Sequence, residues 1–465
     1  MKLLTKGWLA AAIPMLFLAV PASAQDSAVY TQCPETTDLH PDAPDEDNIP
    51  AGDFPGPGDV DYNGNGILET AAENLQGIDC MHLSGGDGMV TMADDEPIYI
   101  FSFAEIPLPG EAYPGGTAPT IESGEYPGFA MEYGILAAEA PAPTIEVDED
   151  DELFLTLTNV GMAIRPDLFD PHTVHWHGFP EASSVFDGVP DASIAINMGA
   201  SLTYYYNVRD AGTYMFHCHV EATEHMQMGM LGNLYVHPRQ NKLAAGTDLS
   251  DAFASNPANV ALGGRTVAPA TDNGAVHQSG ATYAYNDGDG TTRYDAAFPI
   301  QIGSFDKAFH DASFTVQPLP FADMRDTYFM LNGRGYPDTV AAEDAILTGG
   351  ENRQPVSSLI EAASGDLILL RISNLNVTQF NTIGTNGPPM EVVALDARLL
   401  RADDGTNMYY KTNSLTLGGG QSADVIIDTT GIPSDTTFFL YSTNLEMLAN
   451  HHDNFGGMMT EIRIN

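Results

Sequence analysis

The sequence predicts an all-β protein made of two β-sandwiches, and three observations carry that prediction. Strand-length apolar and β-branched runs recur from about residue 95 onward, as in Pro97-Ile98-Tyr99-Ile100-Phe101 and Leu153-Phe154-Leu155-Thr156-Leu157. Helical periodicity is weak along the whole chain. The sequence also repeats itself: Thr144-Ile145-Glu146 through Asp151, Leu155 and Asn159 matches Leu359-Ile360-Glu361 through Asp366, Leu370 and Asn374 without a gap. A second match sets Gly229-Met230-Leu231 through Val236 against Gly457-Met458-Met459 through Ile464. Each copy thus has its opening strand pair and its closing strand in the same order, the mark of a duplicated Greek-key sandwich.

The segments follow in order. Residues 1–24 read as a signal peptide: Lys2 and Lys6, an apolar run from Trp8 to Val20, then Ala22-Ser23-Ala24 as a cleavage site before Gln25. That run is too short to span a membrane, and no other stretch approaches the roughly 20 apolar residues a span needs. The mature protein is expected to be exported, to the periplasm or the extracellular space. Residues 25–94 are acidic and rich in Pro, Gly and Asn, which reads as a loop-rich segment. Residues 95–240 form the first predicted sandwich, 241–295 a Gly- and Asp-rich connection, and 296–465 the second sandwich. The chain of 465 residues is 43% hydrophobic, enough for two or three cores.

Charge excludes some functions. With 63 Asp+Glu against 17 Lys+Arg, the formal charge is −46. A nucleic-acid binder needs a basic footprint, and an anionic membrane surface would repel this chain.

The chemistry-bearing residues cluster in the first copy, which holds six of the 13 histidines between residues 172 and 225. One cluster is His172-Thr-Val-His175-Trp-His177; the other is His217-Cys218-His219, followed by His225 and Met230. On a strand, residues two apart share a face. His175 and His177 therefore point one way, as do His217 and His219, while Cys218 points the other. A thiolate, imidazoles and a thioether form the soft set that selects a blue copper. In an exported protein Cys33 and Cys80 are expected to pair as a disulfide, which leaves Cys218 reduced.

These motifs, with Phe186-Asp187-Gly188-Val189-Pro190 between them and Gly212-Thr213-Tyr214 before the second, resemble the multicopper oxidase superfamily, whose fold is the cupredoxin sandwich. The likeness is strong over about 95–240 and in outline over 296–465. It implies a type 1 copper on His172, Cys218 and His225 with Met230 axial. It also implies that His175, His177, His217 and His219 supply half of a type 2/type 3 cluster. In the family, an electron donor (a small molecule or a metal ion) is oxidised at type 1 copper and oxygen is reduced at the cluster, with Cys218, His217 and His219 as the link. Two-domain members commonly form homotrimers. One local departure is that six residues separate Cys218 from His225 where oxidases commonly have four.

The second copy departs further. By spacing, His175-Trp176-His177 falls opposite Gln379-Phe380-Asn381, Phe216 to Glu221 opposite Tyr441 to Glu446, and His225 opposite Asp453. The copper ligands there are replaced, and His451 and His452 are the nearby substitutes. Three functions fit: an oxidase, a type 1 electron carrier without a complete cluster, and a copper-sequestering protein using Met215, Met226, Met228 and Met230. Separately, Asp61, Asn63, Asn65 and Glu69 fill positions 1, 3, 5 and 9 of an EF-hand-type calcium loop, with Gly66 at the turn. Position 12 is Ala72, and Glu73 comes one residue late, so an acidic turn without an ion fits the same residues.

Overall fold

The computed structural model describes residues 31–34, 37, 39–40, 77–251 and 267–465. The expected leader at 1–24 and the candidate calcium loop at 59–69 lie outside the described residues. Cys33 and Cys80 are joined by a disulfide, and Cys218 is a free, buried cysteine. No helix among the described residues is long and apolar enough to cross a membrane.

The first sandwich uses eight strands: β1 (Ile78–Thr91), β2 (Pro97–Glu105), β3 (Ile145–Asp148), β4 (Glu152–Gly161), β5 (His175–His177), β6 (Ser201–Asn207), β7 (Gly212–His217) and β8 (Leu231–His237). One sheet runs β2-β1-β4-β6 and the other β3-β8-β7-β5. Leu153, Leu155 and Leu157 of β4 alternate into the core with Tyr204 and Tyr206 of β6 and Tyr214 and Phe216 of β7. Helix α1 (Tyr126–Gly134) packs beside β1, and α2 (Ala222–Gln227) interrupts the passage from β7 to β8.

Strand β1 lies inside the segment 25–94 that composition marks as loop. The reason is its glycines, which lower strand propensity yet are required by close approach. A Cβ on Gly85 would stand 3.0 Å from the His172 ring, and one on Gly86 only 2.8 Å from Val160.

The second sandwich uses β9 (Ala296–Phe305), β10 (Tyr328–Leu331), β11 (Ile360–Ala362), β12 (Leu367–Asn374), β13 (Asn381–Thr385), β14 (Met390–Leu395), β15 (Arg398–Leu399), β16 (Tyr410–Thr412), β17 (Ser414–Leu417), β18 (Gln421–Asp428), β19 (Thr436–Ser442) and β20 (Met459–Ile464). Its sheets run β10-β9-β12-β18-β14-β15, with β16 on β14, and β11-β20-β19-β13-β17. The repeat holds at the level of register. Ile145 pairs with Leu234 in the first sandwich, and its counterpart Ile360 pairs with Ile462 in the second.

Register also corrects the counterparts read from spacing. His217 pairs with Leu231 as Tyr441 pairs with Met459, so His217 matches Tyr441 and Cys218 matches Ser442. The Cys218 N–H donates to the Met230 carbonyl at 3.1 Å, and the Ser442 N–H donates to the Met458 carbonyl at 2.9 Å. His175 pairs with His217 as Gly384 pairs with Tyr441, and His172 bridges Ile196 as Asn381 pairs with Leu417. His175 therefore matches Gly384 and His172 matches Asn381. Connections of unequal length make an ungapped comparison slip, whereas ladder hydrogen bonds do not.

The sandwiches meet along the outer face of β7. Thr213 Oγ1 donates to Asp424 at 2.5 Å, Ser422 Oγ donates to the Thr213 carbonyl at 2.7 Å, and Ser373 Oγ donates to Asn233 at 2.6 Å. The second half also sends helix α3 (Lys307–Phe314), N-capped by Asp306, onto β2, and its Phe309 enters the core of the first sandwich. In the connection, Asn286 donates to Glu149 and Asp287 accepts from Gln240, so its second part is held down by buried polar contacts.

Candidate metal centres

Strand alternation splits the His-Cys-His run between two environments. Phe216 and Cys218 face the first core, while Met215 and His217 face the second sandwich. Two groups of ligand-type side chains result.

The first group is His172, Cys218 and His225, all fully buried, with ligand atoms within 4.8 Å of one another. His225 Nδ1 lies 3.2 Å and His172 Nδ1 3.9 Å from Cys218 Sγ. Burial pushes His225 down to about 4, and burial, then the charge of His225, pushes His172 well below its ordinary value. Both are neutral at pH 7, the form that binds metal. Burial pushes the Cys218 thiol up to about 11, so without a cation it keeps its proton. Met230 is fully buried in the same apolar cluster, and its N–H donates to the His225 carbonyl at 2.9 Å.

The second group is His175, His177 and His217, with His219 beside them; His175 lies 5.3 Å from His217 and 4.9 Å from His219, centroid to centroid. His175 Nδ1–H donates to the Asp187 carbonyl at 2.6 Å, and His217 Nδ1–H to the Cys218 carbonyl at 2.7 Å. Each bond leaves Nε2 as the free lone pair, and His217 Nε2 is buried without a partner. Burial pushes His217 down to about 3. The facing wall is Gly420 of the second sandwich, where a Cβ would stand 2.7 Å from the His177 ring.

Residues 130–241 match the family model described as multicopper oxidase. A multicopper oxidase of Talaromyces pinophilus is 30% identical over 124 residues, 26% of this chain and 19% of that protein. The multicopper oxidase MmcO of Mycobacterium tuberculosis is 38% identical over 80 residues, 17% of this chain and 14% of that protein. The chain thus spans less than a fifth of the length of these relatives. The blue copper oxidase structure from Nitrosomonas europaea superposes with a TM-score of 0.53 at 20% identity, covering 83% of this chain and 86% of that one, which shows a shared cupredoxin-like fold. Over residues 130–241 the chain is thus similar to multicopper oxidases.

The multicopper oxidase likeness implies copper as cofactor, and both groups fit it. Metal–nitrogen bonds of about 2.0 Å and a metal–sulfur bond of about 2.3 Å at trigonal angles put N and S about 3.7 Å apart. The separations of 3.2 and 3.9 Å in the first group straddle that value. The second group offers the unpartnered Nε2 of His217 beside the rings of His175 and His177, which suits the same ion.

His451 and His452 join neither group. Their rings lie 3.9 Å apart on a loop, and His451 packs on Tyr328. Other contributors were not read from sequence. Asp170 Oδ2 lies 3.9 Å from His225 Nε2, on a loop with the exposed Phe169. The Asp187 carbonyl orients His175, and Gly188 makes that possible: a Cβ there would meet the Val174 carbonyl at 2.0 Å. The glycine in the Phe186-Asp187-Gly188-Val189-Pro190 motif was the available signal.

Proposed function

We propose that this chain is an exported copper oxidoreductase in which His172, Cys218, His225 and Met230 would hold a type 1 copper, the group that would supply one-electron oxidation of a donor. His175, His177, His217 and His219 would hold copper at a second centre, where oxygen is the electron acceptor. One observation carries the reading: Cys218 belongs to the first group while the next residue back, His217, belongs to the second. A single peptide bond therefore joins the two centres, and the hydrogen bond from His217 Nδ1 to the Cys218 carbonyl shortens the path further.

Copper, when bound, supplies the one-electron chemistry. The chain's own residues do the rest. Cys218 loses its proton on metal binding, and the apolar shell of Phe101, Met228 and Met230 keeps water from the sulfur. Asp187 and the Cys218 carbonyl hold the imidazoles of the second group with Nε2 inward. Asp170, with Glu221 and Glu224 acting on it or on each other, makes the approach to His225 acidic. A charge of −46 favours metal ions or other cationic donors there. The leader 1–24 supports export to the periplasm or beyond.

The second reading is an electron carrier, favoured by the second copy having Gly384 and Tyr441 in register where the first has His175 and His217. Copper content and oxygen uptake separate the two. Copper well above one per chain, with oxygen consumed on adding Fe(II), Cu(I) or a phenol, supports the oxidase. One blue copper per chain without oxygen uptake leaves the carrier.

A further inference from the structure

We infer that His310, contributed by the second sandwich, is a positioning residue for the type 1 site: it straps the segment carrying His225 and Met230 to the first sandwich. The inference rests on the type 1 reading above.

The segment from Ala222 to Met230 holds two of the four proposed ligands on a six-residue helix and an irregular turn. Past the end of such a helix the carbonyls have no internal partner. Those of Gln227, Met228 and Gly229 are each met from outside. Phe101 N–H donates to Met228 at 3.0 Å and Ser102 Oγ to Gly229 at 2.9 Å, both from β2. His310 Nε2 faces the Gln227 carbonyl at 2.9 Å, and His310 comes from α3 of the other half.

The ring lies between two carbonyls. His310 is fully buried, and its Nδ1 faces the Tyr99 carbonyl of β2 at 2.6 Å. A neutral ring donates to one of the two carbonyls and a doubly protonated ring to both. Phe305 packs on it at 4.6 Å, and the same phenyl would stand 3.4 Å from a Cβ on Gly229. A second grip lies alongside: Gln227 Nε2 donates to Asp326 Oδ1 at 3.2 Å, and Asp326 Oδ2 accepts from Ser304 at 2.6 Å. Next to His310, Phe309 packs in the cluster that holds Cys218, Met228 and Met230. The second sandwich thus supplies one wall and two clasps of a site whose ligands all belong to the first. Displacing the segment would move His225 and Met230 relative to Cys218, and so change the bonds that set a type 1 copper's spectrum and potential.

The test compares the copper-loaded full chain with His310→Phe, which keeps the ring volume without donors, His310→Gln, which keeps one donor, and Asp326→Asn. At equal copper per chain, His310→Phe is expected to shift the thiolate-to-copper absorption and the copper hyperfine splitting. Amide exchange across residues 222–230 of the copper-free protein is expected to rise about tenfold. His310→Gln should restore much of both signals, and Asp326→Asn should show a smaller change in the same direction. Folded variants whose absorption, hyperfine splitting and exchange all equal those of the parent would overturn the inference. If the parent itself lacked the thiolate-to-copper band, the type 1 reading would fail, while the exchange measurement would still report on the strap. Should His310→Phe not fold, the Gln and Asn variants carry the same comparison.

Discussion

The two sandwiches are the same scaffold with opposite solutions at one end. Where the first has His172, Cys218 and Met230, the second has Asn381, Ser442 and Met458 in matching register. Asn159 and Asn374 hold the corresponding turns by donating to Ile196 and to Leu417. The space differs as well. Gly85 pairs with Asn159 and leaves room for the His172 ring, whereas its counterpart Ile302 pairs with Asn374 and is fully buried. Ser442 Oγ donates to Met447 Sδ at 3.2 Å, so a protein sulfur satisfies the hydroxyl that replaces the thiol. The scaffold therefore closes without a metal when polar ligands are exchanged for self-satisfied or apolar groups. The proposed copper sites are thus a property of the side chains placed on the first copy and not of the fold.

Exchanging residues between the copies tests this. The largest effect is expected for Cys218→Ser, which installs the second copy's residue. It removes the only thiolate of the proposed type 1 site; the intense visible band should vanish and donor oxidation fall by at least about 100-fold. The fold should persist, as the second copy shows, and persistence is read from the amide-exchange pattern. An intact blue band in this variant would place type 1 copper elsewhere.

A smaller effect is expected for Gly85→Ile, again the second copy's residue. The added side chain occupies the volume of the His172 ring, and copper affinity at that site should drop by about 10- to 100-fold. Gly85→Ala should fall between, because its Cβ at 3.0 Å from the ring can be relieved by a few tenths of an ångström of movement. Overpacking of this kind costs about 1–3 kcal/mol, measurable by urea unfolding. Copper titration of both variants checks the order Gly, Ala, Ile; equal affinities would mean that Gly85 is not what admits His172.

The comparison also shows what the sequence could disclose. The all-β class and the duplication were legible because alternation and the gap-free match at Ile145 and Ile360 are local patterns. The two groups of ligand-type side chains in the first copy were legible because strand spacing alone separates Cys218 from His217 and His219. Strand β1 was hidden, since Gly85 and Gly86 are there for a neighbour distant in sequence, and propensity reads them as loop. The pairing of Cys218 with Ser442 was displaced by one residue, because hydrogen bonding and not chain length sets register. Asp170 and His310 were invisible for the same reason. Each reaches the metal-binding segment from another part of the chain, and nothing next to either marks it.

The smallest expected effect separates the two halves by pH rather than by mutation. His172, His217 and His225, together with His82 between Tyr126 and Thr158, are buried in the first sandwich. Burial pushes His82 and His217 to about 3, His225 to about 4, and His172 well below 6.5. The buried imidazole that the second half contributes, His310, lies against Tyr99 and Gln227 of the first sandwich. A base whose folded pKa is depressed contributes stability that is complete above its unfolded value and is lost as pH falls toward the folded one. The window here runs from about 6.5 down to 3–4, with the loss per group approaching about 1.4 kcal/mol for each pH unit inside it. In the copper-free protein the first sandwich should therefore open at a higher pH than the second. Loading copper should lower that onset, because protons must then displace the ion from His172, His217 and His225, while His82 keeps its share. Amide exchange between pH 8 and pH 5, with and without copper, resolves the two halves. Simultaneous opening of both sandwiches, or an onset indifferent to copper, would contradict the assignment of the metal-binding imidazoles to the first sandwich alone.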